Sequence, residues 1–266
     1  PGGFIPGAGH GSTMEDKFGN NWHASTMRIS VNHPFERRLG IWPVGYDKDG
    51  ELFCNQRFGD WPLRVKQQKM DPWDNPDWML LSYGKPAKAS SFEVGRGPSR
   101  ATDENIQTWW RAASNTSGQW IEVDLKHLCH VHAIQINFGD DKIDVPLPEG
   151  ASLQGVGHQT RFIDERKHRT RWLLEGSEDG KEYFVIEDKS KTETDLSHDL
   201  VVKETGVKAR YIKCTIKEIP FNQNACISGL RVFGTGEGNL PGKATGVTME
   251  LISNLDLSVK WNIVDA

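Results

Sequence analysis

Val131-His132-Ala133-Ile134-Gln135-Ile136-Asn137-Phe138 is the stretch on which the fold turns. Successive side chains of an extended chain point to opposite faces, so Ile134, Ile136 and Phe138 fall on one face and Gln135 and Asn137 on the other. A helix would spread the same residues around its circumference. Working outward, strand-like runs recur at 119–125, 171–177, 183–186, 210–219 and 225–233, then at 22–31 and 39–46 on one side and 246–252 and 255–264 on the other. Asp47-Lys48-Asp49-Gly50 and Glu178-Asp179-Gly180-Lys181 are hairpin turns between such runs. Helical periodicity never extends beyond about ten residues without a Gly or Pro. The pattern predicts an all-β chain, with a sandwich or jelly roll over 78–235.

The composition agrees. Ten Trp, 27 Gly and 13 Pro in 266 residues suit many short strands joined by tight turns. A net charge of −4 with 26% charged residues draws the chain toward neither nucleic acid nor an anionic membrane. There is no apolar run of membrane-spanning length and no signal-peptide pattern. The first residues, Pro1-Gly2-Gly3-Phe4, lack an initiator Met, so the chain is expected to begin inside a longer protein. Cys54, Cys129, Cys214 and Cys226 match no zinc or redox spacing. Cys214 lies on the apolar side of an alternating strand and reads as a buried thiol, with a Cys214–Cys226 disulfide left open to geometry.

Four segments separate. Residues 1–66 carry strands, and 67–77, polar and holding Pro72 and Pro76, reads as a linker. Residues 78–235 hold most of the strand signals, and 236–266 combine a Gly-rich linker with two strands that cannot bury a core alone.

Within 78–235 six fragments occur in order: Ala101-Thr102-Asp103, Thr108-Trp109-Trp110, Gln119-Trp120-Ile121-Glu122-Val123-Asp124-Leu125, Trp172-Leu173-Leu174-Glu175-Gly176-Ser177-Glu178-Asp179-Gly180, Ala209-Arg210-Tyr211-Ile212-Lys213 and Ile227-Ser228-Gly229-Leu230-Arg231-Val232-Phe233-Gly234. Together they resemble the discoidin family, also called factor V/VIII type C, which overlaps a large family of carbohydrate-binding modules. The resemblance implies a discoidin-like β-sandwich in which Trp120, Trp172 and Tyr211 fill between the sheets. It also implies a calcium ion held near 103–108 by the side chains of Asp103 and Thr108 and the carbonyl of Arg100, hard oxygen ligands of the kind calcium takes. Many calcium-binding members carry Glu near the position of Gly229; here it is Gly, and a metal-free Asx-type turn is the alternative. For sugar binding, Trp109 is surplus to the family's core Trp, which matches Trp110, and Phe221 and Asn222 set an aromatic beside amides. The competing expectation is that Trp109 and Phe221 only pack.

Gly9-His10-Gly11-Ser12-Thr13, Asp16-Lys17-Phe18-Gly19-Asn20-Asn21-Trp22-His23 and the run from Arg37 to Gly50 resemble the last blade of the five-bladed β-propeller of glycoside hydrolase family 43. That resemblance places His10 near a central metal or its water and Arg37 toward the bound sugar. It puts the catalytic carboxylates upstream of Pro1, so Glu15, Asp16 and Glu36 are expected to be turn and surface charges, with no catalytic residue in the chain. Lys243-Ala244-Thr245-Gly246-Val247-Thr248 resembles the start of a fibronectin type III-like domain.

The expectation is the C-terminal part of a secreted or periplasmic bacterial glycosidase, an inverting enzyme acting on arabinose, xylose or galactose linkages. Its partners would be a polysaccharide or oligosaccharide and the upstream propeller blades, with no nucleic acid and no membrane span. The alternative is a non-catalytic carbohydrate-binding or adhesion protein; a phospholipid-binding domain ranks last because the loops are mostly polar. Gly7-Ala8-Gly9-His10-Gly11-Ser12 has no helix pattern after it and is not a nucleotide loop. His130 and His132 face away from Cys129, so 127–132 reads as a strand edge rather than a zinc site. The basic stretch 160–171 reads as a solvated loop, and Asn115-Thr116-Ser117 is a glycosylation sequon.

Overall fold

A computed structural model describes residues 9–28, 37–55, 61–142, 149, 167–196, 198–236 and 244–262. Among these residues the regular structure is extended, apart from 3-10 turns at Pro98–Ala101 and Pro220–Asn222. The chain is all-β, as its alternation predicts, and its main body is a β-sandwich.

The sandwich grows from two unusually long strands. These are β8 (Trp120–Phe138) and β11 (His198–Glu218), the central pair of a sheet ordered β10-β9-β11-β8-β12-β5. The others are β5 (Met79–Leu80), β9 (Arg171–Ser177), β10 (Phe184–Asp188) and β12 (Cys226–Thr235), with β6 (Ala87–Ala89) beside β8 and β7 (Trp110–Arg111) beside β12. Burial along β8 alternates to Leu125, breaks at exposed Lys126, His127 and Leu128, and then resumes. Lys126 adopts φ 75, and its N–H is held by Asp124 Oδ1 at 2.8 Å. The β8–β11 register shifts near this corner, between Val202 and Val207 and between Ala209 and Tyr211. One half of the pair continues into β9 and β10, the other into β12 and β5, so one continuous sheet turns at bulges into two facing layers.

Apolar alternation fills the space between the layers. Ile121, Val123, Leu125, Ile134, Ile136, Leu174, Ile212, Leu230 and Val232 are all buried there, with Trp110 and Trp172 the largest side chains. Each contributes roughly 25 cal/mol per Å² of apolar area removed from water. Trp120 and Tyr211, expected in this core, are only half-buried; Trp110 is fully buried and supplies the second large plate. Cys129, Cys214 and Cys226 are buried and form no disulfide, so no Cys214–Cys226 bridge forms, and burial raises the Cys214 thiol well above its ordinary value.

The outer face of β8 differs from a solvated face. Asn137 is fully buried and bonded to Ser228, Gln135 is half-buried between His198 and Arg231, and part of 61–78 packs on this side. Trp78 stacks on His132 with ring centroids 5.2 Å apart, and Trp61 meets Phe233 edge-on at 6.0 Å. Residues 67–77, expected to be a linker, are fastened to the first sheet. That sheet is an antiparallel meander of β1 (Gly9–Glu15), β2 (Asn21–Arg28), β3 (Arg37–Tyr46) and β4 (Leu52–Cys54). Asn20 Nδ2 donates to the Gln68 carbonyl at 2.9 Å and Asn55 Nδ2 to the carbonyls of Pro72 and Asp74 at 2.9 and 3.0 Å, while Trp73 stacks on Phe53 at 3.5 Å. Asp16, expected to be a turn charge, closes the β1–β2 turn by accepting from the N–H groups of Phe18 and Asn20 and from Trp22 Nε1. Burial opposes its ionisation, but these bonds outweigh it and hold the carboxyl well below the usual range. Finally, β13 (Thr248–Leu251) and β14 (Leu257–Lys260) form a hairpin with Met249, Leu251, Leu257 and Trp261 exposed.

Candidate functional site

At one end of the sandwich three loops are knitted to β7 and to the start of β12. The Glu93 N–H bonds the Arg111 carbonyl at 3.0 Å and the Arg111 N–H the Arg96 carbonyl at 3.1 Å; Ala112 N–H reaches Ala225 O at 2.8 Å and Gly139 N–H reaches Cys226 O at 2.9 Å. This backbone frame gathers charged side chains. Arg111, 6% exposed, donates Nη1 to Glu93 Oε1, and its Nε lies 3.8 Å from Asp141 Oδ2. Lys142 Nζ bonds the other Glu93 oxygen at 3.1 Å. Gln223 ties the acidic doublet in place, donating Nε2 to Asp140 Oδ1 at 2.7 Å and accepting the Asp141 N–H at 3.3 Å. Three cations, Arg96, Arg111 and Lys142, thus balance Glu93, Asp140 and Asp141. Burial opposes ionisation of Glu93, but Lys142 and Arg111 overcome it and hold the carboxyl below its ordinary value, so it is anionic at neutral pH.

The outermost part of this cluster is its most available. The Arg96 guanidinium lies over Trp109, its carbon 3.7 Å from the ring centroid. Its Nε is 4.0 Å from Asp141 Oδ2, and among the described residues the guanidinium donates no hydrogen bond. About a third of its side chain is exposed, as is about a quarter of that of Glu93. Stacking on an aromatic face fixes a guanidinium without using its donors. The mouth therefore presents an oriented donor fork close to an anionic acceptor.

Trp109, expected to be a stacking platform, is buried at 7% exposure with Arg96 on its ring and its Nε1–H given to Asp141 Oδ2 at 2.8 Å. It supports the fork from beneath and presents no open face. Phe221 and Asn222 occupy the turn Pro220–Asn222, with φ of 61° and 51°. The Phe221 ring lies 4.3 Å from that of His168, and Asn222 accepts from Asn115 Nδ2 through Oδ1 at 2.8 Å. The structure brings Trp109 and this turn to one end of the sandwich through Asp141 and Gln223. His10 and Arg37 belong to the other sheet: His10 is exposed on β1 with φ 54°, and the side chain of Arg37 lies outside the described residues, as does most of the basic stretch 160–171.

Arg100 sits in the 3-10 turn with its N–H on the Gly97 carbonyl at 3.2 Å. Asp103 and Thr108 do converge, but as partners of each other: Thr108 Oγ1 donates to Asp103 Oδ2 at 2.5 Å, and Asp103 Oδ1 accepts the Asn105 N–H at 3.0 Å. The loop's other carboxylate, Glu104, is clasped by Arg231 through Nε at 2.9 Å and Nη2 at 2.8 Å. Calcium takes six to eight oxygens. The side-chain oxygens of Asp103 and Thr108 are engaged with each other and with the Asn105 N–H in an Asx-type turn, beside a Glu104 taken by Arg231.

No family model matches the chain, and no curated protein matches it. Solved structures are similar to it over the sandwich. Chitosan-binding module 1 of a chitosanase/glucanase from Paenibacillus sp. IK-5 is 18% identical with a TM-score of 0.44, the match covering 59% of this chain and 99% of that one. Chitosan-binding module 2 from the same source, solved with chitotriose, is 15% identical with a TM-score of 0.44, covering 58% and 99%. The family 32 carbohydrate-binding module of NanJ from C. perfringens, solved with galactose, is 21% identical with a TM-score of 0.42, covering 59% and 98%. Likeness at this level assigns no function to the chain.

Sequence reasoning missed Glu93, Arg96, Arg111, Asp140 and Asp141. Three of them left a signal. Asp140-Asp141 follows directly on Gly139 at the end of the alternating run, where loop charges are carried by a rigid strand end. Arg111 directly follows the Trp pair. Nothing local marks Arg96, whose role depends on the distant Trp109.

Proposed function

We propose that this chain binds carbohydrate at the loop end of its β-sandwich, as a non-catalytic accessory module. The observation that carries the reading is Arg96 held over Trp109, its guanidinium donating no hydrogen bond among the described residues, in the same charged cluster as the ionised Glu93. Adjacent sugar hydroxyls each donate and accept one hydrogen bond, so a fixed donor fork next to a carboxylate recognises a pair of them. The two similar sandwiches solved with chitotriose and galactose hold saccharides; the reading for this chain stands on its own side chains. It carries with it a secreted or periplasmic setting, where polysaccharide is met, and the meander of β1 to β4 is read as part of the carbohydrate-active protein that the module serves. Among the described residues no helix is long and apolar enough to cross a membrane.

A second reading makes the sandwich a brace for that meander. It is favoured by Trp61 and Trp78 on the outer face of the sandwich and by the fastening of 68–74 to the meander. Electrophoresis of the full chain through gels cast with galactan, xylan, arabinan or chitosan separates the two. Binding predicts retardation on at least one polymer, lost in Arg96→Ala with an unchanged melting temperature. Retardation on none of them, or an Arg96→Ala protein retarded like the parent, refutes the site.

A further inference from the structure

A cleft of about 150 Å³ lies beside the charged mouth, between residues 115–119 and the end of β11. At about 30 Å³ per water it holds roughly five water molecules, a space on the scale of one monosaccharide ring. Its floor is apolar, from Ile216 and Ala225, and its walls carry the amides of Asn115, Gln119 and Asn222 with the hydroxyl of Thr116.

The two walls are built differently. One is stiff: the Gly118 N–H bonds Ile216 O at 2.8 Å, the Ile216 N–H bonds Gln119 O at 2.7 Å, and Ser117 Oγ bonds Lys217 O at 2.9 Å. The other is strained. Phe221 and Asn222 stand consecutively at φ 61° and 51°, a region that side chains other than glycine seldom occupy, least of all a bulky aromatic. The Asn115 carboxamide holds this turn, donating to the Asn222 side chain at 2.8 Å and its carbonyl at 3.2 Å. Strained backbone beside an open cleft is where function is to be sought.

We propose that this cleft is a second saccharide subsite, taking one uncharged sugar residue edge-on against the bonded pair of carboxamides of Asn115 and Asn222. The inference rests on the carbohydrate-binding reading. An uncharged residue suits the walls: amides and a hydroxyl can donate and accept, and of the two charged lining residues Glu218 is already paired with Arg171 at 2.9 Å while Lys217 is a donor that a sugar hydroxyl can accept from. Edge-on contact follows because no aromatic ring lines the cleft and Phe221 is turned to His168. Gln223 lines the cleft while its side chain is bound to Asp140, which sets the subsite next to the mouth.

The test is amide chemical-shift mapping on the ¹⁵N-labelled full chain with galactose, glucose, xylose, N-acetylglucosamine and chitotriose as probes. The expected result is movement of the Asn115, Thr116, Ser117 and Asn222 amides with at least one probe. Thr116→Trp, which places a bulky ring at the cleft wall, should weaken those shifts at least tenfold in apparent affinity and leave shifts around Glu93 and Arg96 intact. Arg96→Ala should do the converse. Shifts confined to Glu93, Arg96 and Lys142 overturn the cleft and leave the carbohydrate reading standing. No shift with any probe overturns both.

Discussion

His198, the first residue of β11, should make the sandwich lose stability on mild acidification. Its ring is fixed by a chain of bonds with one allowed polarity. Arg231 has only donors and gives Nη1 to Gln135 Oε1 at 2.5 Å, so the Gln135 amide nitrogen faces His198 Nε2, also at 2.5 Å. That nitrogen must accept, which requires the neutral ring. Burial comes first, with Arg38 and Arg231 adding to it, and together they lower the ring pKa from 6.5 to about 4. Between those values the unfolded chain binds a proton that the folded chain refuses, so stability falls as pH falls from 6.5 toward 4. The full shift corresponds to about 2.6 kcal/mol at pH 4.5, and residual water around a half-buried ring reduces the expectation to about 2 kcal/mol. Glu93 and Glu193, held below an ordinary 4.5, begin to lose their contribution at the lower edge of this window, but they do so alike in parent and variant. Asp124, drawn down to about 2 chiefly by its hydrogen bond from Arg210 and opposed by burial, gives stability that is lost only below its ordinary 3.8. Urea unfolding at pH 7.5 and 4.5 measures the effect in the parent and in His198→Gln, which cannot titrate. At an m-value of about 2 kcal/mol/M the parent midpoint should fall about 1 M further than that of the variant. Parallel losses in the two proteins, or a ring that titrates near 6.5 by NMR, would show that the neutral-ring relay does not exist.

Arg231→Met leaves Glu104 in place without its guanidinium, and breaking a buried pair on one side costs about 3–5 kcal/mol; chemical denaturation reads this directly. The same loop should be indifferent to metal, with the melting temperature unmoved by millimolar EDTA or calcium, since Asp103 and Thr108 satisfy each other. Trp61→Ala removes the edge-on contact with Phe233 and should lower stability by about 1–2 kcal/mol, the range of an aromatic pair with its buried area, while saccharide affinity stays within twofold. Native protein treated with a thiol reagent should label only at Cys54, which is half-buried, with Cys129, Cys214 and Cys226 reacting after urea is added; mass spectrometry counts the adducts.

The legible parts of the sequence were those decided locally. Ile134, Ile136 and Phe138 read correctly because strand alternation needs no knowledge of the rest of the chain, and 171–177 coincides with β9. The runs 119–125 and 131–138 read as two strands and are one, because the corner at Lys126 uses a left-handed residue that is neither Gly nor Asn. The first half of β11 was missed since Leu200 and Val202, both exposed, flank buried Val201, so three apolar residues in a row show no polar alternation. Strand β1 is exposed throughout and leaves no hydrophobic period to read. At the loop end, Phe221 and Asn222 stood out as an aromatic beside amides, but the Phe221 ring is turned to His168. The burial of Trp109 was not legible, because it depends on Arg96 and Asp141, which only the fold brings to it. Arg231 likewise meets Glu104 across most of the sandwich sequence.

The binding and bracing readings place their demands on different stretches of the same strands. The charged mouth lies where β12 begins, at Cys226, and Trp61 meets β12 at Phe233, seven residues on, or about 23 Å along an extended strand. Between them β12 is buried at every position and bonded along β8, so neither contact has to deform the other. Outward-facing polar residues in this stretch are tied inward, Asn137 to Ser228 at 2.6 Å and Arg231 to Gln135 and Glu104, which stiffens the span. A rigid span of this kind can hold a covered face at one place and present loops at another. Bracing then supplies the binding end with a fixed orientation toward whatever the rest of the protein acts upon, and the two readings become two ends of one device.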